Sequence, residues 1–178
     1  MKATLIVGSG TGGFTDRQCT ALASALERSG WECSVHRPIE MDIGECAGCQ
    51  RCRTQGTCVM DDDMPLIIDD FLDSDAVVFS SPVRFSNLSS VMKKVMDRFQ
   101  PYWDTGAILK KRRRLALLMS GGSDRPCTEP AERSVRAFCA SMNCEYVGCW
   151  LMSDTDNVPF PDQDMDSVSE GIIRALSS

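Results

Sequence analysis

The stretch VGSGTGGFTD, Val7–Asp16, follows directly on the short apolar run ATLIV, residues 3–7. That run has the length and the β-branched content of a strand. From Asp16 to Arg28 the apolar residues recur three and four positions apart, which indicates one buried helix face. The stretch therefore predicts a strand, a glycine-rich turn and a helix in succession.

The same succession recurs along the rest of the chain. The predicted strands are Ala3–Val7, Trp31–His36, Ala76–Phe79, Leu115–Met119 and Tyr146–Met152. The predicted helices are Asp16–Arg28, Met64–Leu72, Leu88–Phe99, Glu129–Met142 and a last one near Met165–Leu176. This alternation, with near-continuous apolar character in strands one, three and four, predicts an α/β fold: a doubly wound, five-stranded parallel sheet with helices on both faces.

Length and composition narrow the class of protein. With 178 residues we expect one domain over 1–178, and the net charge of −6 argues against a nucleic-acid partner. The apolar start is too short for a membrane span and lacks the layout of a signal peptide, so we expect a cytoplasmic protein without a membrane partner. In that reducing compartment the ten cysteines favour metal ligation or redox chemistry over a disulfide framework.

Three predicted loops leave the carboxyl ends of strands one, three and four: residues 8–15, 80–87 and 120–127. Each is rich in Gly, Ser, Thr or Asn, residues that also make ordinary turns. In an open parallel sheet, ligands bind beyond these strand ends at the point where the strand order reverses. Because all three loops share this composition, the sequence predicts a ligand site at this edge.

The first loop fits three phosphate-binding patterns. As a dinucleotide fingerprint, G-x-G-x-x-G, it lacks the acidic residue expected at the end of strand two, where His36 and Arg37 stand. As a nucleoside-triphosphate loop it has Phe14 where a lysine would hold the phosphates. The third interpretation is a cradle of hydroxyls and amides around one phosphate at a helix N-terminus, which suits FMN.

Three segments in order, GSGTGGFTD (8–16), SSPVRFSNLSSVMKKVMDR (80–98) and SGGSDRP (120–126), resemble the flavodoxin-like NADPH-dependent FMN reductase and iron-sulfur flavoprotein family along essentially the whole chain. The resemblance implies a flavodoxin-like fold and an FMN site. Around the phosphate it implies Ser9, Thr11, Phe14 and Thr15; beside the ring system it implies Pro82, Val83, Arg84, Phe85 and Asn87, with Ser120, Gly121 and Gly122 on the other side.

Three positions depart from the family pattern. Gly10 and Thr11 stand where the family has Pro and Arg, in a loop about one residue shorter, which alters the phosphate contacts. Arg84 replaces a frequent aromatic residue. A cation there either steadies the negative charge of reduced flavin or is a surface arginine.

A second motif is CAGCQRCRTQGTC, in which Cys46, Cys49, Cys52 and Cys58 are spaced C-x2-C-x2-C-x5-C within a cysteine-rich loop at about 44–60. Four thiolates from one compact loop suit a four-iron, four-sulfur cluster. The motif, with the DDDM that follows it, also resembles the iron-sulfur flavoproteins. Zinc held by the same thiols, or cysteines that hold no metal, are the alternatives.

These features predict an FMN oxidoreductase in which a four-iron, four-sulfur cluster exchanges electrons with the flavin. No protein acid or base is then obligatory, and we assign no catalytic residue. The alternatives are a cluster-free NAD(P)H-dependent FMN or quinone reductase and a zinc-stabilised binding module or non-catalytic electron carrier. The resemblance further implies a homodimer or homotetramer, a ferredoxin-like electron carrier and a small-molecule acceptor.

Other chemically active residue types are expected to be structural. Cys19 and Cys139 lie in helix patterns and fit small core residues, and His36, the sole histidine, ends a strand. The basic run at 110–114 is expected to be a solvated turn before strand four, with a docking patch for an acidic carrier as its functional alternative.

Overall fold

The computed structural model describes residues 1–104, 109–160 and 164–178, and it is built on a five-stranded sheet with the order β2-β1-β3-β4-β5. Every neighbouring pair of strands runs parallel. The strands are β1 Lys2–Val7, β2 Glu32–His36, β3 Ala76–Pro82, β4 Arg113–Ser120 and β5 Cys144–Met152. This confirms the predicted doubly wound parallel sheet.

Helices cover both faces of the sheet, and each long one coincides with a predicted helix. They are α1 Phe14–Arg28, α2 Cys52–Gln55, α3 Met64–Asp73, α4 Ser90–Asp97, α5 Gln100–Asp104, α6 Glu129–Ser141 and α7 Met165–Ser177. The short helices α2 and α5 were not predicted, because four or five residues are too few to show a helical period. None of the helices in the described ranges is long and apolar enough to span a membrane.

Alternation along the buried strands divides the core into two layers. Ile6 and Phe79, which pair across β1 and β3, pack with α3, α4 and α6 on one face. Leu5 and Val78 point the other way and pack with α1 and α7. Successive side chains of a strand point to opposite faces, so the apolar runs seen in the sequence supply both layers at once.

The carboxyl ends of β1, β3, β4 and β5 are joined by backbone hydrogen bonds that continue past the strands. The amide of Gly8 donates to Ser80 O (2.7 Å), that of Val83 to Ser120 O (2.7 Å) and that of Gly121 to Met152 O (2.9 Å). The three loops predicted to form a ligand site therefore leave the same edge of the sheet side by side.

The structure agrees with part of what was predicted for the structural residues and corrects the prediction for the basic run. Cys19 and Cys139 are buried, as predicted, and His36 ends β2 with its Nε2 2.8 Å from Asp70 Oδ2. The expectation of a solvated turn at 110–114 is wrong for its last two residues, which belong to β4. Arg113 is buried and its Nε donates to Phe71 O (2.6 Å), so this arginine joins α3 to the sheet and is not part of a docking patch.

Candidate functional site

The first loop takes its shape from glycines where a side chain would not fit. A Cβ on Gly8 would lie 2.8 Å from Ser89 Oγ, and this hydroxyl donates to Gly8 O (2.6 Å). Gly12 has a φ of +74°, a backbone conformation that favours glycine. Helix α1 then begins after Gly13, which has no side chain to cap it. The first-turn amides and the positive end of the helix dipole are therefore available to an anion.

A cavity of about 490 Å³ lies at the strand ends; we call it the strand-end cavity. It brings together nine of the twelve residues predicted to bind FMN, from all three loops. They are Ser9, Thr11, Phe14, Thr15, Pro82, Val83, Arg84, Ser120 and Gly122. Thr155 and Asp156 complete its wall, and sequence reasoning missed them because their segment carries no glycine-rich signal.

The other three predicted residues lie outside the strand-end cavity. Phe85 and Asn87 line an adjoining cavity of about 660 Å³, with Arg84 forming part of the wall of both. Phe85 is fully exposed, because the turn between Arg84 and Asn87 gives it a φ of +50° and directs it to solvent. Gly121 packs against Pro126, where a Cβ would lie 2.4 Å from Pro126 Cγ.

Hydroxyls in the strand-end cavity are already engaged with protein groups. The Oγ1 of Thr15 and the Oγ of Ser120 lie 2.7 Å apart and join α1 to the end of β4. Thr11 Oγ1 donates to the carboxylate of Glu40. A phosphate bound here would therefore compete with a carboxylate for the Thr11 hydroxyl, a contact that the sequence did not reveal.

Arg37, which stands where a dinucleotide fingerprint would have its acidic residue, has a structural role. Its Nε donates to Asp16 Oδ1 (2.8 Å), while Asp16 Oδ2 accepts from the amide of Gly12 (2.8 Å). This ion pair fastens the end of β2 to the first loop, so the dinucleotide interpretation gains no ligand-binding cation from Arg37.

The four cysteines of the motif line a third cavity of about 460 Å³, the cysteine cavity. Cys46 and Cys49 are exposed, whereas Cys52 and Cys58 are half-buried. Gly56 has a φ of +77°, which turns the chain after α2 so that Cys58 faces the same space. Across the described residues, no group of three or more His, Cys, Asp or Glu side chains is assembled closely enough to hold a metal ion.

Charged side chains surround these thiols. The backbone amide and then the guanidinium of Arg51 hold the pKa of Cys49 below its usual range. Burial and then the hydrogen bond from Cys52 Sγ to Asp104 Oδ2 (3.3 Å) raise the pKa of Cys52. Arg53 Nε also donates to Asp104 Oδ1 (3.2 Å), so this carboxylate links a thiol to an arginine.

A buried arginine completes the cysteine cavity. Arg98 Nη2 lies 3.6 Å from Cys58 Sγ, and its guanidinium also pairs with Asp62. Arg98 and Asp62 lie in two of the stretches that resemble the family. The sequence did not predict a role for either residue, because nothing in it indicates that the two side chains are in contact. Asp104 was missed for the same reason.

A doubly wound parallel sheet with a ligand cavity beyond its strand ends defines a flavodoxin-like α/β protein. The family model of the NADPH-dependent FMN reductases matches residues 1–157, and the chain belongs to that family. This confirms the predicted family.

Iron-sulfur flavoproteins are among the curated relatives of this chain. An iron-sulfur flavoprotein of Archaeoglobus fulgidus is 37% identical over 103 residues, which are 57% of this chain and 47% of the relative. An iron-sulfur flavoprotein of Methanosarcina thermophila is 31% identical over 119 residues, which are 66% of this chain and 58% of the relative. The chain thus spans about half the length of these relatives.

Solved structures show the same fold at low identity. A flavone reductase superposes with a TM-score of 0.76 at 18% identity, over 100% of this chain and 64% of that chain. The azoreductase AzrA superposes with a TM-score of 0.71 at 11% identity, over 99% of both chains. These likenesses confirm the architecture of the sheet and its helices.

The two cavities offer donors of the kinds that FMN and a metal–sulfur cluster require. For FMN, the strand-end cavity offers the uncapped N-terminus of α1, a donor set suited to one phosphate, and neutral hydroxyls that would exchange their present protein partners for it. For a metal–sulfur cluster, the donor set is four thiols around a space much larger than the ~30 Å³ share of one water. The thiols surround this space without a preformed single-ion site among the described residues.

Proposed function

We propose that this chain is an FMN oxidoreductase of the iron-sulfur flavoprotein type, in which electrons pass between a four-iron, four-sulfur cluster and FMN. The observation that carries the proposal is that one cavity is lined by all four cysteines of the motif, Cys46, Cys49, Cys52 and Cys58. Membership of the FMN reductase family supports the flavin. The names of the curated relatives support the cluster.

The chain's own groups would hold the two cofactors as follows. The first-turn amides of α1 and the hydroxyls of Ser9, Thr11 and Thr15 would bind the FMN phosphate. Arg84, in the wall of the strand-end cavity, would place a positive charge beside the ring system. A bound flavin exchanges two electrons and a cluster one at a time, so together they join a one-electron donor to a two-electron acceptor.

Helix α4 separates the two cavities. Its N-cap Ser89 bonds to Gly8 at the first loop, and its C-cap Arg98 contacts Cys58. Its 8 residues correspond to about 12 Å at 1.5 Å per residue. The strand-end and cysteine cavities share no lining residue among those described, so the protein would hold the cofactors as separate centres.

The deciding experiment is an anaerobic preparation of the chain, with FMN, iron, zinc and acid-labile sulfide measured per polypeptide. The proposal expects one FMN and about four irons with four sulfides, as the four-thiolate shell requires. Iron-free protein that still binds FMN would reject the cluster. Zinc with no flavin would select the binding module instead.

A pair of cysteine variants tests the ligand assignment. Cys49→Ser removes an exposed thiol from the cysteine cavity, and Cys127→Ser removes an exposed thiol elsewhere. The first is expected to lose most of its iron while retaining FMN, and the second to keep both. Equal iron contents in the two variants would contradict the assignment.

A second candidate is the cluster-free NAD(P)H-dependent FMN or quinone reductase. Two observations favour it: the family model that matches is that of the NADPH-dependent FMN reductases, and no metal-holding group is preassembled in the described part of the chain. Rapid bleaching of bound flavin by NADPH or NADH, in protein that contains no iron, would select this activity. Flavin reduced only by a one-electron donor would select the first proposal.

We further propose a cytoplasmic homodimer or homotetramer that exchanges electrons with a ferredoxin-like carrier and reduces a small molecule. A reducing compartment suits ten free cysteines, all of which lie in described segments. Light scattering on the loaded protein tests the oligomer. The carrier is tested by reduction of the cluster with reduced ferredoxin, and a monomer with full activity would reject the oligomeric requirement.

A further inference from the structure

Arg98 is the bulkiest fully buried side chain among the described residues, and only 1% of it is exposed. It is the C-cap residue of α4, immediately beside the cysteine cavity. Burying a guanidinium is costly unless its charge is paired and its donors are used. The partners of Arg98 therefore indicate what the arginine is there to hold.

Two of those partners close the ends of the cysteine loop. Arg98 Nη1 donates to Gly44 O (2.8 Å), at the beginning of the loop. The guanidinium forks onto both carboxylate oxygens of Asp62, which follows the loop, with Nη2 to Oδ1 at 3.0 Å. Asp62 in turn accepts from the amide of Gly44 (3.0 Å). One buried ion pair thus fastens both ends of the loop to α4.

The third partner is a sulfur of the motif. Arg98 Nη2 points at Cys58 Sγ across 3.6 Å, a hydrogen-bond distance for sulfur. Arg98 Nε is buried with no acceptor among the described residues, so the guanidinium makes all its contacts on the side of Asp62, Gly44 and Cys58. Hydrogen bonds and charges next to ligand sulfurs tune a metal–sulfur centre and are costly to remove.

We propose that Arg98 is the positioning residue of the cysteine cavity: it anchors the loop through Gly44 and Asp62 and donates to the Cys58 sulfur. This inference rests on the cluster proposed above. The anchor holds the loop in place before any metal arrives. The N–H···S contact donates a hydrogen bond to one ligand sulfur, which favours the more negatively charged, reduced form of a bound cluster.

The test uses three variants of the full chain. R98M/D62N removes the buried ion pair without leaving one charge unpaired, so it is expected to fold. R98K retains the positive charge but lacks the forked geometry. The matched control, R133M/E129Q, removes an ion pair of the same type from the exposed face of α6.

In the anaerobically reconstituted protein, R98M/D62N is expected to lose iron to a chelator about 10- to 100-fold more readily, the range seen when an outer partner of a metal ligand is removed. Its cluster midpoint potential is expected to become more negative. R98K should recover part of that potential, and the control should match the wild type. An unchanged potential in loaded R98M/D62N overturns the inference, because a merely structural arginine would leave the potential unmoved.

A measurement on metal-free protein separates this inference from the cluster proposal. Trypsin cleaves after Arg51 and Arg53, which are exposed in the cysteine loop. Loss of the anchor should speed this cleavage in R98M/D62N and not in R133M/E129Q. If the wild type binds no iron, the cluster proposal fails, yet faster cleavage still supports the anchor. Cleavage at the wild-type rate overturns it.

Discussion

The contact between Thr15 and Ser120 provides a quantitative test of how the strand-end cavity is built. Their hydroxyls lie 2.7 Å apart, and the two residues are 4% and 5% exposed. Replacing either hydroxyl by an apolar group leaves the other buried without this partner, at a cost of about 1–3 kcal/mol. Thr15→Val keeps a β-branched residue in α1, so the helix itself is little affected.

The double variant T15V/S120A removes both hydroxyls and leaves neither unsatisfied. Its loss of stability should therefore fall short of the sum of the two single losses by ~1 kcal/mol. With a urea dependence of ~2 kcal/mol per molar, this coupling corresponds to about 0.5 M in the unfolding midpoint. The assay is urea unfolding of the cofactor-free protein, with Ser141→Ala as control, because the hydroxyl of Ser141 makes only a surface hydrogen bond within α6, to Ala137 O.

The same variants connect the contact to flavin binding. Because Thr15 lines the cavity at the N-terminus of α1, Thr15→Val should weaken FMN binding about tenfold or more, as for a lost hydrogen bond to a charged group. Additive stability losses, within about 0.5 kcal/mol, would refute the coupling. Unchanged FMN affinity in Thr15→Val would remove this hydroxyl from the phosphate site.

Three further predictions concern charge and exposure. Glu40→Gln should tighten FMN binding about two- to fivefold at low salt, because it removes a carboxylate from the phosphate end of the strand-end cavity. Weaker binding of FMN to this variant, measured by titration, would contradict the prediction. In metal-free protein, iodoacetamide should modify exposed Cys46 rapidly but spare Cys139, since burial raises the pKa of Cys139 to about 12; mass spectrometry that finds equal labelling would refute it. The hydrogen bond from Arg98 holds the pKa of Asp62 below its ordinary value of 3.8. The stability that this ion pair contributes is therefore present above pH 3.8 and is lost as the pH falls through the pKa of Asp62 in the folded protein. Urea unfolding from about pH 7 to about pH 3 should show a smaller loss of stability at acid pH in R98M/D62N than in the wild type.

Local pattern was enough to predict the elements that carry the site. The run Ala76–Phe79 is apolar at every position, and a strand buried on both faces needs that pattern. The prediction of Leu88–Phe99 as one helix extended too far, because Ser89 caps a shorter helix and Arg98 ends it. A side-chain cap depends on the orientation of one side chain, and the spacing of apolar residues along the helix carries no information about that orientation.

Local sequence pattern could not predict the individual side-chain positions and contacts of the site. The position of Phe85 depends on a turn with two successive positive φ values, at Phe85 and Ser86, residues that rarely adopt them. Glu40 reaches Thr11 only because β2 lies next to β1, a pairing of strands that no nearby residue specifies.

The amino-acid sequence by itself determined the alternation of strands and helices, the glycine loop after β1 and the compact spacing of the four cysteines, since these depend on neighbours along the chain. Only the tertiary structure decided which charged side chains, distant in sequence, contact the cysteine loop. Arg98 and Asp62 are 36 positions apart, and Cys58 is 40 from that arginine. They come together because packing of the helices against the sheet brings the end of α4 to the cysteine loop.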